Sequence, residues 1–176
     1  MRMEYYFDTI KPKYYHSIGT YRYECLEYDR RLDGCSNLED YDDIEAWDFN
    51  AKLFELESTL PPGYSISYQY LYIEDKEVVG MLSFRPNAMS HPYLKEYGGH
   101  IGYSVRPSKR NMGIGKRMLK DFLPKCKEYG LDKILITCLE DNEHSRKIIL
   151  ANNGIYEKSV YYAPENKQIE RYFINL

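Results

Sequence analysis

A segment rich in glycine and positive charge, between a strand-like run and a helix-like run, limits most strongly what this chain can fold into. Residues 105–116 read Val-Arg-Pro-Ser-Lys-Arg-Asn-Met-Gly-Ile-Gly-Lys. They follow the β-rich run 101–105 and overlap the start of a helical pattern over residues 113–129. The first amides of a helix lack intrahelical acceptors and its N-terminus is electropositive. The segment therefore predicts a phosphate-binding turn between a strand and a helix.

The glycines and the charges of this segment agree with that prediction. Gly113 and Gly115 would let a phosphate approach the backbone. The basic residues around them are Arg106, Lys109, Arg110, Lys116 and Arg117. The alternative is a flexible, glycine-containing turn that binds no phosphate and whose basic residues are simply solvated. Two common phosphate loops do not fit, since a dinucleotide loop needs glycine at Met118 and a Walker loop needs Ser or Thr at Arg117.

Hydrophobic patterns along the chain predict an α/β (α+β) fold. A helical part over residues 1–63 precedes a sheet-containing part over residues 64–176, and together they form one domain, 1–176. Pro124 should kink its helix or mark its end. The predicted helices cover residues 14–32, 44–56, 113–129 and 142–152, and the predicted strands cover residues 66–73, 78–84, 101–105, 134–139, 155–162 and 169–174.

Composition excludes several classes of protein. With 43% hydrophobic residues in 176, the chain can bury a core. A net charge of -3 argues against nucleic acid as a main partner. The four cysteines form no Cys-x-x-Cys pair, so neither a metal site nor a disulfide framework is indicated. Without a signal-like start or a run of 18 apolar residues, we expect a cytoplasmic protein that does not span a membrane.

At the glycine segment the chain resembles the GNAT superfamily of acetyl-coenzyme A dependent acetyltransferases. Residues 110–115, Arg-Asn-Met-Gly-Ile-Gly, match the signature Arg/Gln-x-x-Gly-x-Gly/Ala after a strand. Residues 98–103, 142–147, 153–154 and 171–174 look like a bacterial branch of predicted acetyltransferases. The resemblance covers residue 64 to the end and implies a single domain with a mixed central sheet of six to seven strands. About four helices would flank that sheet, and its central strands would splay apart.

The resemblance also implies where acetyl-CoA binds. The backbone from Asn111 to Lys116 would hold the pyrophosphate, and the strand containing Val105 would pair with the pantetheine arm. The amide of Val105 would then donate to the thioester oxygen. Helix capping is the alternative role for Asn142. The residues assigned to the cofactor are Val105, Arg110, Asn111, Met112, Gly113, Ile114, Gly115, Lys116, Asn142 and Ser145.

The groups that move protons are less well indicated. Many relatives carry a Tyr that protonates the departing thiolate at the position of Ile149. Where some relatives have a Glu, this chain has Gly99, so His100 beside it is the first candidate for the base, and Tyr103 is the second catalytic candidate. Glu96 and Glu140 are reserves. A structural histidine is the alternative for His100.

The resemblance implies direct transfer, in a ternary complex, to a primary amine of a small molecule or a peptide. The acidic segment 39–48 could attract a cationic amine, or it could simply begin a helix, with Asp42 or Asp43 as the cap. A ribosomal-protein amine is among the acceptors left open, and a homodimer is one assembly left open. Two other functions compete: a catalytically weak module that binds or senses acetyl-CoA, and an interaction protein.

Overall fold

Seven strands and four α-helices make up the part of the chain that the computed structural model describes, residues 4–29 and 31–176. Short 3-10 turns join several of them, and Leu94–Gly98 is a π-helical turn. In chain order the elements are β1 Tyr5–Thr9, α1 Tyr15–Tyr28, α2 Ile44–Leu53, β2 Tyr68–Glu74, β3 Glu77–Phe84, β4 Ile101–Val105, α3 Ile114–Glu128, β5 Lys133–Leu139, α4 Glu143–Leu150, β6 Ile155–Tyr162 and β7 Lys167–Asn175.

Every helix and strand predicted from the sequence is present, with ends that differ by a few residues. The α/β class is therefore confirmed. Helix α3 passes through Pro124 and continues to Glu128, so this proline does not end the helix. Strand β1 is absent from the sequence prediction. Its five residues are too short a run to show a pattern alone, and they pair antiparallel with β2, with Phe7 opposite Tyr72.

The seven strands hydrogen-bond as two sheets. One has the order β1-β2-β3-β4 and the other has the order β5-β7-β6. Leu71 lies opposite Met81 in the first, and Ile136 lies opposite Tyr172 in the second. The four pairs β1–β2, β2–β3, β5–β7 and β6–β7 are antiparallel.

One compact unit comprises the described residues up to Phe84 together with Gly102–Gly115. Its core contains Ile18, Tyr21 and Trp47, none of which is exposed to solvent. The indole N–H of Trp47 donates to the carbonyl of Cys35 at 2.9 Å, so the largest buried ring also has its polar atom satisfied.

The other compact unit comprises Arg85–Ile101 and Lys116–Leu176. Residues 134–136 of β5 are all fully buried, which confirms a strand covered on both faces. Strand β6 lies at the edge of its sheet and is mostly exposed. One domain over residues 1–176 stays a prediction. Within the described ranges, no helix is both long and apolar enough to cross a bilayer.

Candidate functional site

The glycine segment lies between the end of β4 and the start of α3, as predicted. Asn111 and Gly113 are both in the left-handed region, with φ of 61° and 79°, and α3 begins at Ile114. Asn and Gly are the residues that tolerate this region best. Left-handed residues beside right-handed ones turn successive N–H groups toward one side, which forms a concave anion-binding backbone.

Space above this backbone is open. A Cβ atom added at Gly113 would meet nothing within 4 Å, and Met112 is 62% exposed. The first turn of α3 contains no acidic residue that would compete with an anion. Lys116 is exposed in that turn, and its carbonyl accepts from the amide of Asn152 at 3.2 Å. The backbone around Gly113 is therefore shaped to receive a ligand, and an anion suits it.

The side chain of Arg110, the first residue of the signature, points back into the protein framework. Its Nε donates to the carbonyl of Val105 at 3.0 Å, and its two terminal nitrogens donate to the carboxylate of Asp29, at 3.2 Å for Nη1. The bond to Asp29, which outweighs partial burial, raises the pKa of Arg110. Arg110 thus closes the loop onto the end of β4, and much of its charge is shared with a carboxylate.

Two further basic residues of the loop are also ion-paired. Arg106 Nε lies 2.6 Å from Glu24 Oε2, and Lys109 Nζ lies 2.6 Å from Glu74 Oε2. Glu24 additionally accepts from the backbone N–H of Ser108. Burial opposes ionisation of Glu24, but these hydrogen bonds outweigh it and lower the pKa of Glu24. The positive charge predicted around the glycines is therefore partly compensated by carboxylates of the chain itself.

His100 is a buried, hydrogen-bonded residue. It is 1% exposed, and its ring Nδ1 accepts from the backbone N–H of Leu135 at 2.9 Å, while the backbone N–H of His100 donates to the carbonyl of Leu135 at 2.8 Å. Nδ1 acts as the acceptor, so the ring proton lies on Nε2. Burial lowers the pKa of His100. The lone pair that a base would use is engaged, which favours the structural alternative. Proton abstraction by His100 stays a prediction.

The glycine before His100 explains part of this arrangement. Gly99 has a φ of 67°, and a Cβ on it would lie 2.5 Å from the carbonyl oxygen of Leu135. No side chain fits there, so a glutamate of the kind found in some relatives has no place at this position. His100 holds the backbone of β5 through its two hydrogen bonds with Leu135, and Gly99 permits the close approach of that backbone.

The other catalytic candidates are Tyr103, Glu96 and Glu140. Tyr103 is half-buried on β4. Glu96 lies 3.7 Å from the ammonium group of Lys158, and Glu140 accepts from the backbone N–H of Gln168 at 2.9 Å. Tyr103 therefore stays a predicted catalytic residue.

Ile149 occupies the position where many relatives carry a tyrosine. It is fully buried, and a Cβ on Gly154 would lie 2.4 Å from its Cγ2. The site is packed by an aliphatic side chain, so no hydroxyl is available from this position.

Asn142 caps α4. Its side-chain oxygen accepts from the backbone N–H of Ser145 at 3.0 Å, which is the capping role that the sequence left open. Contact of Asn142 and Ser145 with a cofactor stays a prediction.

The acidic segment also serves the local fold. Asp43 caps α2 by accepting from the N–H of Glu45 at 3.0 Å, and Asp42 lies 3.0 Å from the guanidinium of Arg22. Asp48 is buried and accepts from the hydroxyl of Tyr15 at 2.6 Å. These contacts favour the capping interpretation over an acidic wall.

All four cysteines are buried free thiols. Burial raises the pKa of Cys25, Cys126 and Cys138 to about 12, and it raises the pKa of Cys35 as well. A thiol reacts as its thiolate, so this environment suppresses their nucleophilicity. Within residues 4–29 and 31–176, three or more His, Cys, Asp or Glu side chains nowhere form a group that could hold a metal ion.

Sequence analysis missed the carboxylates that pair with the loop. Glu24 and Asp29 precede their partners by 82 and 81 residues, and Glu74 precedes its partner by 35. No local pattern links positions so far apart. The excess of basic residues in the loop was the only signal that compensating acids were needed.

The comparisons with known proteins concern both sequence and structure. Residues 23–153 match the model of the family described as Acetyltransferase (GNAT) family. No match was found among curated proteins. Among solved structures, RimL, a ribosomal alpha-N-protein acetyltransferase in complex with coenzyme A, has a TM-score of 0.74 at 17% identity, with 98% of this chain and 94% of that chain covered.

Two more solved structures share the fold. A ribosomal-protein-S5-alanine acetyltransferase from Vibrio fischeri has a TM-score of 0.68 at 18% identity, with 99% of this chain and 95% of that chain covered. The protein yncA from Salmonella typhimurium, with its cofactor acetyl-CoA, has a TM-score of 0.61 at 12% identity, with 98% and 94% covered.

Proposed function

Because the chain belongs to the acetyltransferase (GNAT) family, an acetyl-CoA-dependent group of acyltransferases, we propose that it moves an acetyl group from acetyl-CoA to a primary amine. The observation that carries the proposal is the backbone at residues 111–114. Asn111 and Gly113 are left-handed there, Gly113 faces open space, and α3 starts at Ile114, after the strand β4 and the 3-10 turn Pro107–Lys109. This arrangement suits the pyrophosphate of coenzyme A.

In the proposed reaction, the neutral amine attacks the thioester carbon and forms the new C–N bond. The C–S bond breaks, the thiolate of coenzyme A leaves, and the amine proton passes to a base or to water. The amide of Val105 would donate to the thioester oxygen as negative charge develops on it. Tyr103 is the proposed acid or base. A thiol has an ordinary pKa of about 8.5, so its thiolate departs without obligatory protonation.

We propose transfer within a ternary complex, without an acetylated cysteine. The four thiols are buried and hard to ionise, which supports this route. The acceptor is the amine of a small molecule or a peptide. Two of the structural relatives are named as acetyltransferases of ribosomal proteins, so the amino terminus of a peptide is the first acceptor to test.

A coenzyme A sensor without turnover is the second candidate function. The buried Ile149, in place of the usual tyrosine, favours it, since a general acid from that position is lacking.

Calorimetric titration of the purified protein with acetyl-CoA, followed by release of free thiol against a panel of primary amines, separates the two functions. The panel contains polyamines, aminoglycosides, amino acids and peptides with free amino termini. We expect saturable binding and thiol release that depends on one class of amine. Binding without any amine-dependent release would favour the sensor, and no binding would refute both.

A further inference from the structure

Acidic residues surround the loop that would bind an anion, and we infer that Glu24 is a positioning residue of the acetyl-CoA site. It would act by anchoring the loop backbone. The inference rests on the proposed function, because the loop is the proposed pyrophosphate site. Glu24 belongs to α1, far from the loop in sequence, and its hydrogen bonds go to Arg106 and Ser108, which precede the left-handed backbone at Asn111 and Gly113.

Glu24 holds the loop at two points. One carboxylate oxygen pairs with Arg106 Nε at 2.6 Å, and the other accepts from the backbone N–H of Ser108, the middle residue of the 3-10 turn Pro107–Lys109. The side chains of Glu24 and Arg106 are only 17% and 13% exposed. This partly buried, charge-assisted pair is far less screened than a surface ion pair. The backbone N–H of Arg106 also donates to the carbonyl of Val79 at 3.0 Å, which ties the same point to β3.

Three other carboxylates also pair with the loop. Glu77 Oε2 lies 3.2 Å from Arg106 Nη1, and the Glu77 side chain is 62% exposed. Asp29 pairs with both terminal nitrogens of Arg110, and Glu74, which is 3% exposed, pairs with Lys109. The three anchored residues, Arg106, Lys109 and Arg110, lie within the five residues before Asn111. The left-handed backbone at 111 and 113 therefore follows a turn held by ion pairs, and preorganised amides bind an anion without a cost of ordering the loop.

If Glu24 anchors the loop, its removal should change the affinity for acetyl-CoA in the direction opposite to that expected from charge alone. Removing a negative charge near an anion site should tighten binding of the anion, by about twofold or less at distances near a Debye length. If Glu24 positions the loop, its removal should instead weaken binding, because the loop must then be ordered each time the ligand binds.

The test compares Glu24→Gln with Glu27→Gln in the full-length protein. Glu27 lies on the same helix and is exposed, so its substitution removes the same charge without releasing the loop. Calorimetry with acetyl-CoA gives the dissociation constant, and thermal unfolding shows that each variant is folded. We expect Glu24→Gln to bind at least tenfold more weakly than wild type, and Glu27→Gln to bind within about twofold of it.

Steady-state kinetics distinguish a loss of loop anchoring from a general loss of stability, because the two KM values report on separate binding sites. We expect Glu24→Gln to raise KM for acetyl-CoA at least tenfold, with KM for the amine changed by less than twofold. Asp29→Asn is the second variant should Glu24→Gln not fold, and the same direction is expected. Equal or tighter binding by both variants would overturn the anchoring. No binding by the wild-type protein would instead overturn the proposed function.

Discussion

The backbone at Gly113 allows a matched test of where acetyl-CoA binds. Gly113 and Gly130 have nearly the same φ, 79° and 80°, and an added Cβ meets nothing within 4 Å at either position. Gly130 follows the end of α3, whereas Gly113 precedes its start. Substitution by Asp therefore places the same side chain, in the same backbone conformation and in open space, at opposite ends of one helix.

The backbone cost is expected to be the same at both positions. A residue other than Gly costs about 1–2 kcal/mol in the left-handed region, and Asp is at the low end because it tolerates that region. The helix dipole adds about 0.3–1 kcal/mol of stability for an Asp before the start of α3 and removes a similar amount for an Asp after its end. We therefore expect Gly130→Asp to lose more unfolding free energy than Gly113→Asp, so a loss of affinity confined to Gly113→Asp would not come from unfolding.

The effect on affinity should differ. Two unit charges 4 Å apart repel by about 1 kcal/mol in water and about 4 kcal/mol at an effective dielectric constant of 20. The loop is open to solvent, so repulsion between Asp at position 113 and a diphosphate should total about 2–4 kcal/mol. At about 1.4 kcal/mol per tenfold, Gly113→Asp should weaken acetyl-CoA binding roughly 30-fold to 1000-fold, whereas Gly130→Asp should change it by less than threefold.

Calorimetry at low and high salt gives the dissociation constant of acetyl-CoA for both variants. Gly113→Ala serves as a further control, since it has the backbone strain without the charge. The loss of affinity for acetyl-CoA in Gly113→Asp, relative to Gly113→Ala, should become smaller as the salt concentration rises, because salt screens exposed charges. If Gly113→Asp bound acetyl-CoA as tightly as Gly130→Asp, the assignment of the pyrophosphate to this loop would be refuted.

Three other predictions concern His100, Tyr103 and the Lys109 ion pair. His100→Asn should keep an acceptor for the Leu135 amide and retain kcat within about tenfold, and a loss of 100-fold or more would identify His100 as the base. Because its pKa is lowered, His100 should destabilise the fold as pH falls below 6.5, and urea unfolding of His100→Asn should lack that dependence. Tyr103→Phe should lower kcat at least tenfold if Tyr103 transfers a proton, and thiol release with unchanged kcat would exclude that role. Lys109→Met leaves Glu74 buried without its cation and should cost about 2–3 kcal/mol at pH 7, discounted for the partial exposure of Lys109. The pKa of Glu74 is lowered chiefly by Lys109, so this deficit should shrink in urea unfolding below pH 4.5, and a deficit independent of pH would contradict the ion pair.

Local patterns were sufficient for most of the fold. The buried residues of α3, among them Met118, Leu119 and Phe122, recur at helical spacing, and β5 is a continuous apolar run. Such signals lie within one element and need no knowledge of its neighbours. Strand β1 carries no such signal, because its five residues become a strand only by pairing with β2.

In the candidate site, too, local patterns predicted the backbone, whereas contacts between distant residues could not be predicted. Gly113 and Asn111 could be assigned to a turn because only a few residue types adopt a left-handed backbone. The roles of side chains depended on partners distant in sequence. His100 is engaged by Leu135, and Arg110 is engaged by Asp29, and neither contact has a signature in the sequence.

The carboxylates on and after α1 limit how far this protein could be shortened. The motifs of the family lie from residue 64 onward, so a fragment beginning there would keep every glycine of the loop. It would lack Glu24 and Asp29, so Arg110 would lose its carboxylate partner and Arg106 would keep only the exposed Glu77. We therefore expect a fragment that begins at residue 64 to bind acetyl-CoA more weakly than the full chain. A minimal fragment or a chimaera built by exchanging the amino-terminal helices would have to carry these two acids, or substitutes for them, to keep the loop in place.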